Sequence, residues 1–106
     1  MAKYMFSANY TQSGLQGLLR EGGSGRAKAV EAAAASAGGK LEAIYWAFGK
    51  HDAIVIADLP DNAAAAALSL AIAATGTVTL STTVLMTAAE VDAAVQRHPS
   101  YRPPGG

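Results

Sequence analysis

Cysteine is missing from the 106 residues, which excludes disulfides, thiol redox chemistry and thiolate metal ligands. Charge is scarce and balanced: eight Lys and Arg face eight Asp and Glu, for a net charge of zero. A surface with no excess of positive charge gives neither phosphate backbones nor anionic lipids an electrostatic foothold, so no nucleic acid and no membrane is expected as a partner. Only two histidines occur, His51 and His98, far apart in the chain and outside any metal-ligand spacing, so no metal is expected. No cofactor-binding motif is recognised, and none is expected to be bound. Long apolar runs are also lacking. The longest weakly polar stretch, Asn62 to Thr75, is mostly alanine, carries Ser69 and is too short to span a bilayer. Met1 to Phe6 sets Lys3 ahead of a strand-like run, without the long apolar region or small-residue cleavage site of a secretory signal. A soluble cytoplasmic protein is the expectation.

What is abundant is alanine. There are 25 alanines, whereas Leu, Ile, Val and Phe together number 21. Side-chain volume for a core is therefore short, and at roughly 25 cal/mol per Å² a small alanine-filled domain is marginal as a monomer. Burial against a second copy is the obvious remedy. The length suits one domain, expected over residues 1–98, followed by an extended tail over 99–106 that is rich in proline and glycine.

Residues 3–11 favour a strand through their aromatic and strand-forming content. Leu15, Leu18 and Leu19 recur at helical spacing, but Gly22, Gly23 and Gly25 would each cost a continuous helix about 1 kcal/mol. A short helix followed by a loop is predicted, with Ser24 capping a second helical stretch over Gly25 to Ala37. Residues 40–48 and 52–59 read as two strands joined through Gly49-Lys50-His51. Asp61 is a suitable N-cap for a helix from Asn62 to Thr75, closed by Gly76. Thr77 to Met86 alternates with period two, as a strand does, and Thr87 caps a final short helix reaching Val95. The order of elements is that of a split βαβ, ferredoxin-like α+β fold: an antiparallel sheet covered by helices on one face. Right-handed crossovers give the strand order two, three, one, four.

The stretch from Gly38 to Asp52, the following Ile54-Val-Ile-Ala-Asp-Leu-Pro-Asp61 and the tail from Ser100 to Gly105 together resemble the GYD domain family over nearly the whole chain. The Gly-Tyr-Asp signature is loosened here to Gly49-Lys50-His51-Asp52, with His51 where tyrosine is usual. The resemblance implies a dimeric α/β barrel in which two sheets pack together, and it implies no particular reaction. It is also similar in architecture to cofactor-independent monooxygenases, chlorite dismutase relatives and small-ligand regulatory domains.

Pairing across a two-residue Gly49-Lys50 turn would place Phe48 opposite His51, Trp46 opposite Ala53 and Tyr45 opposite Ile54. Glu42, Ile44, Trp46, Phe48, His51, Ala53 and Val55 would then share one face, and both faces would be substantially apolar. The helices can cover one face, so a second subunit is expected on the other. Strands one and three are taken to run parallel, which brings His51 and Asp52 towards Lys3 and Tyr4. An imidazole beside a carboxylate and a phenol can act as a general base; equally, Asp52 can simply hold the turn or pair with Lys3. Tyr10, Tyr45 and Trp46, with Asn9 nearby, suit the wall of a pocket for a flat organic molecule, or else a plain core or dimer interface. The alanines of both helices can leave room above the sheet or let the helices pack closer. Gly22-Gly23-Ser24-Gly25-Arg26 lacks the Gly-Lys-Ser/Thr ending of a phosphate loop and is read as a flexible connection.

Three functions remain in view. The first is a homodimeric or higher homo-oligomeric protein that binds a small aromatic or apolar molecule near Tyr10, Tyr45, Trp46 and His51. The second is a cofactor-independent monooxygenase or isomerase with His51 as base and Asp52 orienting it. The third is a structural assembly module.

Overall fold

The computed structural model describes all 106 residues. Seven elements follow one another: β1 (Ala2–Tyr10), α1 (Gln12–Ser36), β2 (Lys40–Trp46), β3 (Ala53–Leu59), α2 (Asn62–Ala73), β4 (Val78–Leu85) and α3 (Ala88–Val95). The four strands form one sheet in the order β2-β3-β1-β4, with every neighbouring pair antiparallel. This is the expected ferredoxin-like α+β fold.

The antiparallel pairing of β1 with β3 corrects the expectation that they run parallel. A right-handed crossover leaves β2 parallel to β1, and the β2–β3 hairpin then reverses the chain, so β3 must oppose β1. The register follows Ala2 opposite Leu59 to Ala8 opposite Ala53. The start of β3 therefore lies at the end of β1, beside Asn9 and Tyr10, and not beside Lys3 and Tyr4.

The predicted break within the glycine cluster is present, but it is a kink at one residue and not a loop: α1 consists of two helical segments that meet at Gly22. α1 runs through the glycine cluster with one non-helical residue, Gly22, at φ 73° and ψ 172°, a region open essentially to glycine alone. Ser24 lies inside the helix and caps nothing. Helical segments of this size gain most of their stability from packing, and Gly23 lies under the Trp46 ring: a Cβ there would meet it at 3.7 Å. The N-terminus of α1 is held by Thr11, whose side-chain oxygen accepts from Gly14 N–H and whose hydroxyl donates to Gly76 O. Gly14 is obligatory for this approach, because a Cβ on it would run into the Thr77 carbonyl.

The hairpin turn also differs from the sequence expectation. Trp46 pairs with Ala53 and Tyr45 with Ile54 as the pattern predicts, but the strands stop there. Residues 47–52 form a wider connection, with Phe48 at φ 52° and Ala47 N–H donating to Asp52 O. A bulge between Leu41 and Ala43 turns Glu42 away from the face shared by Ile44 and Trp46. It joins Lys3 and Asp58 on the other side, because an extra residue in one strand reverses the alternation.

The core lies between helices and sheet. Tyr4, Phe6, Ala57, Leu59 and Ala65 form its buried cluster, and the Tyr4 hydroxyl and Asn62 Oδ1 are 2.6 Å apart in a hydrogen bond that ties β1 to α2. Only nine residues are buried, as the scarcity of large side chains anticipates. The opposite face carries, by alternation, Met5 and Ser7 of β1, Ile54 and Ile56 of β3, Ala43 and Tyr45 of β2, and Thr79, Ser81 and Thr83 of β4. No helix is long and apolar enough to cross a membrane.

Candidate functional site

Because so many helix and sheet residues facing each other are alanine, the two layers do not fill the space between them. A cavity of about 270 Å³ remains, and 15 of its 22 lining residues are hydrophobic. Phe6, Ala8 and Tyr10 of β1 and Ala53 and Val55 of β3 make much of its floor, while Val30 and Ala34 of α1 and Leu68 and Ile72 of α2 close it from above. These come from alternate strand positions and from helix positions three or four apart, the spacings that put side chains on one face. Arg20, Glu21 and Arg26 also border it. The kink at Gly22 sits between the first two of these and the third.

The aromatic pair beside the cavity is locked. Trp46 Nε1 donates to the Tyr10 hydroxyl at 2.9 Å, and Tyr10 lines the cavity. The phenol oxygen thus accepts one hydrogen bond and keeps its own proton for another partner. The main chain of Tyr10 is fixed as well: its N–H donates to Asp52 Oδ2 at 2.9 Å. Asp52 N–H in turn donates to Ala8 O at 2.9 Å and to Asn9 Oδ1 at 3.1 Å. Asp52 therefore extends the β1–β3 pairing past Ala53 and holds the end of β1, which positions Tyr10.

The four residues expected to surround a ligand are divided by the fold. Tyr10 and Trp46 stand together on the helix-covered face. Tyr45, one residue from Trp46, points to the opposite face and is 70% exposed. His51 lies in the 47–52 connection, outside the cavity lining; its Nδ1 is buried without a hydrogen-bond partner, and no hydrogen bond joins it to Asp52. Lys3, expected near Asp52, is at the far end of β1. There it pairs with Glu42 and with Asp58, the latter at 2.9 Å, and these two carboxylates, Glu42 foremost, raise its pKa above the ordinary lysine value.

Sequence reasoning missed the charged border of the cavity. Arg20, Glu21 and Arg26 flank the glycine cluster, and with a loop assumed there nothing directed them at the sheet. The signal available was the three- and four-residue spacing of Ser13, Gly17, Arg20 and Glu21 before Gly22 and of Arg26, Ala29, Val30 and Ala33 after it; relating the two stripes requires the backbone of Gly22.

The order of elements, the register and the match of residues 4–95 to the GYD domain model agree. The chain belongs to the GYD domain family. Nothing among curated proteins or solved structures matches this GYD protein significantly. Its function must therefore be argued from the site itself.

Proposed function

We propose that this GYD-domain protein is a homodimer that binds a small aromatic or otherwise apolar molecule in the cavity between α1, α2 and the sheet. The observation that carries the reading is unfilled apolar space of about 270 Å³ in a chain with few large side chains. Ligand sites are mostly apolar concavities with a few polar groups, and those for drug-sized molecules begin at roughly 300 Å³. A single ring on a short chain matches the space here. Tyr10, fixed by Asp52 and Trp46, supplies the polar group with a proton to donate.

The dimer is supported by what the helices leave uncovered. Met5, Ile54, Ile56, Ala43 and Tyr45 form an apolar area on the open face of the sheet, and every residue of α3 is exposed, with Val91 at 47% and Val95 at 60%. Apolar surface gathered in this way marks an interface.

Binding is read from Trp46, the only tryptophan, whose emission reports on Tyr10 and the cavity. Titration with 4-phenylbutan-1-ol is expected to change that emission saturably. Ala8→Leu, which fills the floor, is expected to weaken the probe at least about tenfold while altering stability by no more than about 1.5 kcal/mol. Equal affinity in Ala8→Leu and wild type would remove the cavity from the reading.

A further inference from the structure

We infer that the molecule held in the cavity is an organic anion, an apolar body ending in one carboxylate or similar group, whose charge sits at the α1 border beside Arg20. The inference rests on the cavity-binding reading and adds the chemical class of its ligand. Three charged residues line the cavity: Arg20, Glu21 and Arg26. Arg26 Nη1 pairs with Glu21 Oε2 at 3.4 Å, so these two offset each other. Arg20 has no ion pair and no side-chain hydrogen bond within the chain. One positive charge is thus left over at the border of an otherwise apolar cavity, in a protein whose total charge is zero.

The fold gives this placement a definite cause. In a straight α1, Arg20 and Arg26 would be six positions apart, about 600° of rotation, which leaves them about 120° apart around the axis and off a common stripe. Gly22, at φ 73° and ψ 172°, interrupts the helical rotation between them, and both arginines border the same cavity. Guanidinium suits a planar carboxylate, which it can meet with two parallel N–H donors. An apolar body without an anionic end would leave that arginine unused, and an anion without the body would leave the cavity empty.

The test compares two probes with one skeleton, 4-phenylbutanoate and 4-phenylbutan-1-ol, by Trp46 emission and by calorimetry at low and high salt. Wild type is expected to bind the acid about fivefold more tightly than the alcohol, the scale of a largely exposed ion pair. That preference should shrink as salt rises. Arg20→Gln should bring the acid-to-alcohol ratio towards one, Arg20→Lys should restore part of it, and Glu21→Gln, which frees Arg26, should raise it above wild type. Equal binding of acid and alcohol, or a ratio unmoved by both Arg20→Gln and Glu21→Gln, would overturn the anion assignment and leave the cavity reading standing. Binding of neither probe would overturn the cavity reading and this inference with it.

Discussion

Gly22 shows how one residue can govern a site without touching a ligand. Its backbone lies where an L side chain costs about 1–3 kcal/mol, yet no neighbour lies within 4 Å of the place a Cβ would occupy. The penalty for Gly22→Ala is therefore conformational and not steric. In urea melts, Gly22→Ala is expected to lose about 1–3 kcal/mol, or else to straighten α1 and draw Arg20 from the cavity border. A variant as stable as wild type that also keeps its acid-to-alcohol preference would show that the kink is not needed. Asp52 has a similarly indirect role: its carboxylate is spent on the Tyr10 N–H, so it acts on the cavity by holding a strand end.

Among the elements, α3 has the least support from its own chain, since none of its residues is buried. What holds its first turn is the capping box, in which Thr87 Oγ1 accepts from Glu90 N–H at 3.2 Å and Glu90 Oε1 accepts from Thr87 N–H at 2.9 Å. The hydrogen bond from Thr87 N–H favours the ionised carboxylate and holds the Glu90 pKa below the ordinary glutamate value. A depressed carboxylate contributes stability above its unfolded pKa and loses it as pH falls through the folded one. The α3 amides are thus expected to lose protection, measured against their intrinsic exchange rates, as pH drops below the ordinary glutamate range, while Glu90→Ala should lack that protection at neutral pH as well. Hydrogen exchange followed by NMR checks this; protection factors that stay flat across that range in wild type would detach α3 from its cap. For Lys3 the sign is opposite, its ion pairs being intact below the ordinary lysine pKa and lost as pH climbs through the raised value.

At the scale of the molecule, the extents of 56 × 32 × 22 Å and a radius of gyration of 16.7 Å exceed the roughly 13 Å of a compact domain of this length. The excess agrees with the exposure of α3 and of residues 99–106. In the proposed dimer, the open sheet face, with α3 beside it, finds its cover in the second copy. Sedimentation at micromolar concentration is expected to give a dimer for wild type and a monomer for Ile56→Lys, which sets a charge amid Met5 and Ile54. A folded wild-type monomer under those conditions would remove the dimer from the reading.

Patterning alone determined the βαββαβ order, the strand order, the caps at Asp61 and Thr87 and the pairing of Trp46 with Ala53. Those features follow from side-chain period, capping chemistry and chain handedness, all of which are local or nearly so. Tertiary structure decided the kink that joins the two segments of α1 at Gly22, the turn over 47–52, the flip of Glu42 and the division of Tyr45 from Trp46 across the sheet. It also decided that Tyr10, Arg20 and Arg26 border one space. Each of these depends on packing between segments distant in sequence: a glycine cluster narrows to a kink at one residue when a tryptophan ring packs against its neighbour Gly23, and a cavity exists only where two layers of small side chains fail to meet.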